Sequence, residues 1–150
     1  MNVKRFVVAC LVVFVFVFFY EWMFHGHFMK DLYAGTANMW RPKDDFMSHM
    51  SWLVLGQLIQ AILFCLIYTR SETAKQGVGF AVGYGFAIGY GLVIALMRSG
   101  NDLITFAVQP LPFSLIGSWI AGSIVEGIIA GALLGAIYRA GPAPAPAPGP

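Results

Sequence analysis

The chain has 150 residues, of which 59% are hydrophobic and 11% charged, and its formal net charge is +2. Soluble domains contain about 25% charged residues, so this composition excludes an ordinary water-soluble protein. The few basic residues are scattered, which excludes a nucleic-acid surface. We therefore expect an integral membrane protein whose first partner is a lipid bilayer.

The first apolar run covers residues 6–24 and follows two basic residues, Lys4 and Arg5. It is longer than the apolar part of a cleavable signal peptide, about 7–15 residues, so we expect it to remain as an anchor. Its many β-branched and aromatic residues favour a strand in water. In lipid, however, an isolated strand leaves its backbone unpaired whereas a helix does not, and we predict a transmembrane helix.

The segment 25–50 contains all three histidines of the chain. Histidine and methionine suit copper or an axial position on haem, which makes His25, His27 and His49 a candidate metal or haem site. No close ligand spacing supports this site, and no cofactor is predicted. The alternative is that nearby carboxylates hold the histidines at the membrane surface, as Glu21 would hold His25 four residues later on one helix face.

Three further apolar runs cover residues 51–69, 77–97 and 115–138. Each is close to the roughly 20 residues that a helix needs to cross a bilayer, and their continuous apolar character excludes a β-barrel. The predicted fold class is an all-α integral membrane protein, with four transmembrane helices in a compact bundle over residues 1–140. An extended Ala/Pro-rich tail is predicted at 141–150.

The stretch between the third and fourth runs, residues 98–114, is predicted to lie outside the spans. Pro110 and Pro112 interrupt any helix before the fourth run. The apolar residues 103–108 suit a position at the membrane surface or against the bundle.

Basic residues beside the predicted spans indicate the orientation, because cytoplasmic loops are enriched in lysine and arginine. Five basic residues fall on the side of the two termini and four on the other side. This count favours a cytoplasmic location for both the N and the C terminus. The five are Lys4, Arg5, Arg70, Lys75 and Arg139.

The third run repeats GFAVGY as GFAIGY, which places a small residue at every second position. On a helix these residues form two stripes on opposite sides. One stripe contains Gly85 and Gly89, and the other contains Gly79 and Gly83. We expect this helix to pack closely between two neighbours.

The fourth run contains one carboxylic acid, Glu126, near its middle. Ser123, Gly127, Gly131 and Gly135 recur every four residues around it and predict another stripe for close helix packing. A lone charge at this depth costs at least about 2.5 kcal/mol, so we expect Glu126 to be neutral or tightly paired.

Counting about 1.5 Å per helical residue places Gln57, Gln60 and Tyr90 at a depth similar to that of Glu126. We predict an intramembrane polar cluster in which a glutamine hydrogen-bonds Glu126 and Tyr90 caps the pair. Such a cluster either fixes the register of the helices or moves protons or cations. A transport path normally needs several polar side chains along its length, so the structural role is preferred.

Several stretches of the chain resemble a family of small bacterial four-helix inner-membrane proteins without known activity. They are EWMFHGHFMKDLY and MWRP after the first span, and QPLPFSLIGSWIAG and VEGIIAGALLGAIYR near the end. The resemblance implies four spans and a bacterial inner-membrane location. It identifies no catalytic residue.

No catalytic triad, paired cysteines, phosphate loop or zinc motif is present, and Cys10 and Cys65 lie apart in apolar runs, so we expect no enzyme. The leading hypothesis is a non-catalytic accessory or structural subunit of a larger bacterial membrane complex. Its Gly-rich helices would pack against other membrane subunits. One alternative is a small homo-oligomeric channel or transporter that uses Glu126, and another is a membrane metal- or haem-binding protein.

Overall fold

The computed structural model describes residues 2–71 and 80–138, and all regular elements in these ranges are helices. Residues 72–79, which include Gly79, and the predicted tail 141–150 lie outside the described residues. The elements are α1 (Val3–Met23), a π-helical turn (Phe24–Phe28), α2 (Lys30–Ala34), a 3-10 turn (Ala37–Met39), α3 (Lys43–Ser48), α4 (Met50–Arg70), α5 (Phe80–Val108) and α6 (Phe113–Ile137).

Four helices are long and apolar enough to cross a membrane, as the sequence predicts. Between 11% and 33% of the most apolar part of each is buried inside the bundle, so most of their surface faces outward. That outer surface carries large apolar side chains, which suit a lipid environment better than water. The four candidate spans are Val3–Phe28, Met50–Arg70, Val82–Val108 and Phe113–Ile137.

The helix α5 continues well past residue 97, where the sequence predicts that the third span ends. It ends at Val108, two residues before Pro110, so Arg98 and Asp102 are helical and do not lie in a connecting loop. The polar stretch after residue 97 is typical of a loop by composition. In the folded chain Ser99 instead donates to the carbonyl oxygen of Ala95 at 2.9 Å within the helix. The tertiary structure therefore keeps this stretch helical although its polar composition favours a loop.

The closest packing in the bundle joins α5 and α6. A Cβ added at Gly91 would overlap the carbonyl of Gly127, and one at Gly131 would overlap the carbonyl of Ala87. Gly135 likewise lies against the Cβ of Ala87. The small side chains on these two helices thus allow their backbones to touch.

The other stripe of α5 has no neighbour among the described residues. Gly85 and Gly89 are exposed, and a Cβ at either position would meet no atom of those residues within 4 Å. Gly83 faces α4, where its carbonyl oxygen accepts a hydrogen bond from the Tyr68 hydroxyl at 3.4 Å. Only one of the two sides predicted for α5 is therefore filled by α6.

The helix α4 packs on α1 at one side of the bundle. Cys10 of α1 and Cys65 of α4 are both buried, and their thiols contact each other. They belong to the same apolar core as Val13 and Leu134.

Two glycines of α5 provide a matched test of the α5–α6 contact. We expect Gly91→Ala to destabilise the protein by about 1–3 kcal/mol, because the added methyl group forces the two backbones apart. Gly89→Ala adds the same group in open space and should be neutral or stabilising by up to about 1 kcal/mol. Thermal unfolding of both variants in detergent measures the difference, and equal stabilities would contradict the packing described here.

Candidate functional site

Arg98 on α5 forms ion pairs with carboxylates on two other helices. Its Nη1 donates to Oε2 of Glu126 at 2.8 Å, and its Nη2 donates to Oε1 of Glu21 at 3.2 Å. The side chain of Glu126 is 2% exposed and that of Arg98 is 35% exposed. A carboxylate buried so completely needs a partner, because an unpaired charge in apolar surroundings is costly. Glu126 is thus tightly paired, one of the two states expected from the sequence.

The second oxygen of Glu21 extends the network toward the end of α1. It lies 2.7 Å from Nε2 of His25, the pair expected from their spacing. Nδ1 of His25 is 2.6 Å from the hydroxyl of Tyr33, which accepts a hydrogen bond from Nε1 of Trp119 at 2.8 Å. The protonation of His25 determines whether Nδ1 or the Tyr33 hydroxyl is the donor in this contact. A continuous chain of polar contacts therefore connects Trp119 with Glu126.

Tyr33 lies where this network meets the segment after α1. Its ring packs edge to face on Trp40, with ring centroids 5.3 Å apart. Burial raises the pKa of Tyr33 to about 12, and the charge of Glu21 acts in the same direction. The hydroxyl therefore keeps its proton at neutral pH and remains a hydrogen-bond donor.

A cavity of about 110 Å³ lies beside the ion pairs, between α1, α5 and α6. The acidic and basic residues of its lining are Glu21, His25, Arg98, Asp102 and Glu126. Two carboxylate oxygens of this lining, Oε1 of Glu126 and Oδ2 of Asp102, are buried and have no hydrogen-bond partner among the described residues. Buried polar atoms are rarely left without a partner, so the cavity is suited to an occupant that donates hydrogen bonds.

One wall of the cavity is aromatic. Tyr20 and Phe24 stack with their ring centroids 5.7 Å apart and their planes 7° from parallel. The Tyr20 hydroxyl donates to the carbonyl oxygen of Gly122 at 2.8 Å, and a Cβ at Gly122 would overlap the ring of Phe24. Gly122 therefore lets Phe24 lie directly on α6. Trp119 also lines the cavity.

No protein-family model matches the chain, and comparisons with curated proteins and solved structures give no match. Any inference about function therefore rests on the geometry of this site.

The predicted polar cluster around Glu126 has a different composition in the structure. The hydroxyl of Tyr90 donates to the carbonyl oxygen of Phe64 at 2.7 Å and not to Glu126. Gln60 is exposed on α4, and Oε1 of Gln57 is buried without a hydrogen-bond partner in the part of the chain that the structure describes. The glutamines Gln57 and Gln60 lie at a depth similar to that of Glu126 along their helix. They do not contact it, because α4 packs mainly on α1.

The structure also separates the three histidines. His25 belongs to the charged cavity, whereas His49 pairs with Asp45 at 3.3 Å on α3. His27 is exposed, with its ring against Phe28. Within residues 2–71 and 80–138, no three His, Cys, Asp or Glu side chains are placed to hold a metal ion. In the structure the three histidines therefore have three different sets of neighbours.

The predicted cluster omitted Arg98, Glu21 and Asp102. A signal for Arg98 was present in the sequence, because a buried Glu126 requires a cation and Arg98 directly follows an apolar helical run. Ser123, predicted as part of the packing stripe, lines the cavity instead.

The Arg98–Glu126 pair can be tested by removing the cation. We expect Arg98→Gln to destabilise the protein by about 3 kcal/mol, the lower end for a broken buried ion pair, because Arg98 is partly exposed. A double variant that also carries Glu126→Gln should recover most of this loss, since it leaves no unpaired charge at residue 126. Both values come from denaturant or thermal unfolding in detergent.

A surface ion pair serves as the control. Arg41 and Asp45 are 2.8 Å apart, and the side chain of Arg41 is 58% exposed. Arg41→Gln should therefore change the stability by less than about 1 kcal/mol. Equal effects of the two arginine substitutions would show that Arg98 is not held in a buried pair.

Proposed function

We propose that the protein is a multi-pass protein of the bacterial cytoplasmic membrane, with both termini in the cytoplasm. Four helices of sufficient length and an apolar outer surface support insertion in a bilayer. The distribution of basic residues supports the orientation. The resemblance of the stretches after the first span and near the end of the chain to bacterial inner-membrane proteins supports the location.

We further propose that the protein is a small transporter of protons or small cations, with the charged cavity as its binding site. One observation carries this proposal: five acidic or basic side chains meet in one cavity between the long helices. The sequence favoured a structural role because it indicated too few polar side chains near Glu126 for a transport path. The cavity supplies such polar groups from Arg98, Glu21, His25 and Asp102. Ionisable residues inside membrane spans are functional sites by default.

The depth of the site fits this role. At about 1.5 Å per residue, Glu126 lies about 20 Å along α6 from Phe113, and Arg98 lies about 15 Å along α5 from Val108. Both positions fall within a hydrocarbon layer of about 30 Å. Glu21 and His25 lie nearer the end of α1, so the ionisable groups lead from one surface toward the middle of the bilayer.

Arg98 determines which route a proton can take in this arrangement. Its guanidinium does not lose its proton in proteins, so a proton cannot pass from Glu21 to Glu126 through Arg98. The cavity beside the ion pairs provides a second connection, because it borders both carboxylates and is large enough to hold water. Transfer to Glu126 would therefore go through the cavity, or directly from Glu21, whose carboxyl group is in hydrogen-bond contact with that of Glu126.

Currents from proteoliposomes on a solid support test the transport function. We expect concentration jumps of protons, sodium, potassium or guanidinium to give a current for at least one cation above that of empty liposomes. Glu126→Gln should reduce this current at least tenfold, because it removes the carboxylate at the inner end of the cavity. Asp44→Asn, an exposed acid on α3, is the control and should leave the current unchanged. The absence of current from the wild-type protein for all four cations would reject the transport function.

A second candidate function is the accessory subunit of a larger membrane complex. The open face of α5 at Gly85 and Gly89 favours it, because such a surface accepts a further helix at short distance. The exposed amide of Gln60 on α4 is also costly in lipid and would gain a partner in an assembly. The occupant of this face is either another subunit or a second copy of the chain.

Native mass spectrometry after gentle extraction from the membrane tests the assembly function. We expect the wild-type protein to be recovered with defined larger subunits, or as a homo-oligomer. The combined change Gly85→Leu and Gly89→Leu should convert it to a monomer by blocking the open face. Gly56→Leu on α4, where a Cβ also meets no atom within 4 Å, should have no effect. A monomeric wild-type protein would exclude this function.

A further inference from the structure

The charged cavity has features that define the chemistry of an occupant. Oε1 of Glu126 and Oδ2 of Asp102 are both buried acceptors, and no donor in the described part of the chain reaches either of them. Glu126 is almost completely buried, so bulk water does not satisfy its free oxygen. A molecule that binds here must therefore donate hydrogen bonds to carboxylates.

The charge of the lining also constrains the occupant. Three carboxylates, those of Glu21, Asp102 and Glu126, face one guanidinium from Arg98 and one imidazole from His25. With the carboxylates ionised, the lining keeps an excess of negative charge even if His25 is protonated. A cation balances this excess, whereas an anion would be repelled.

A metal ion is a poor match for the cavity. Calcium takes six to eight oxygen ligands and zinc takes about four, all at short distances. Across the described residues, no group of three acidic, histidine or cysteine side chains is positioned to hold such an ion. A cation that binds through N–H donors needs fewer protein ligands than these metal ions. Its donor–acceptor distances are also longer than metal–ligand bonds.

The aromatic wall favours an organic cation. Tyr20, Phe24 and Trp119 border the same cavity as the two free carboxylate oxygens. These side chains give the carbon atoms of an organic cation an apolar surface to pack against, which an inorganic cation does not use. The cavity volume of about 110 Å³ corresponds to the space of about four water molecules, enough for a group of a few non-hydrogen atoms.

We propose that this cavity binds a small organic cation with N–H donors, an alkylammonium or guanidinium ion, between Asp102 and Glu126 and against the aromatic wall. The proposal rests on the proposed transport function and names its substrate class. Charge alone is insufficient for binding, because the two free carboxylate oxygens require donors. A quaternary ammonium ion of similar size therefore binds less well.

Isothermal titration calorimetry of the full chain in nanodiscs tests this inference, with guanidinium, methylammonium, tetramethylammonium and sodium as probes. We expect saturable binding of guanidinium and methylammonium, with at least tenfold weaker binding of tetramethylammonium and sodium. Equal affinity for tetramethylammonium would overturn the requirement for donors. The absence of saturable binding for both guanidinium and methylammonium would overturn the whole inference, leaving water or a bound proton as the occupant.

Variants assign the binding to the cavity. Asp102→Asn is the first choice, because its free Oδ2 makes no hydrogen bond that the fold needs. We expect it to weaken guanidinium binding at least tenfold, while Asp44→Asn binds like the wild type. A circular dichroism melt confirms that each variant is folded. Unchanged binding by Asp102→Asn and by Glu126→Gln would place the ligand elsewhere and overturn the proposal.

The binding and current measurements can reject the two proposals separately. Guanidinium binding without any cation current would leave the binding site intact and reject transport. A proton current without guanidinium or methylammonium binding would support transport and reject the organic cation as substrate. The absence of both would reject both proposals.

Discussion

The guanidinium of Arg98 joins three of the four long helices through two carboxylates, Glu21 on α1 and Glu126 on α6. Without Arg98, Glu126 would be an unpaired buried charge, whereas Glu21 pairs with both Arg98 and His25. The relative positions of these three helices are therefore coupled to one side chain. The cavity beside the ion pairs follows from this arrangement, because Arg98 draws three polar helix faces together around a small volume.

Glycine packing makes the ion pair possible. Gly91 and Gly127 allow α5 and α6 to touch, and Ala95 and Arg98 lie on the same side of α5 as Gly91, one and two turns farther along. Glu126 is the neighbour of Gly127 in the sequence. The apolar contact and the ion pair are thus adjacent parts of one interface. The first brings the backbones together, and the second fixes their register.

The two ends of the polar network differ in chemistry. Tyr33 and His25 are hydrogen-bonding groups near the end of the first span, whereas Arg98 and Glu126 form a charged pair deeper in the bundle. Two free carboxylate oxygens and an aromatic wall meet between these ends. The proposed binding of a cation depends on this combination of free oxygens and aromatic side chains.

The sequence by itself determined the all-helical class and the four long apolar helices, because continuous apolar runs of this length leave a helix as the only segment that satisfies its own backbone. It also identified Glu126 as the group that needs a partner. The partner depended on tertiary structure, since depth along a helix does not determine which neighbour it packs against. Continuation of α5 to Val108 and its contact with α6 placed Arg98 at Glu126, while the packing of α4 on α1 left Gln57 and Gln60 elsewhere.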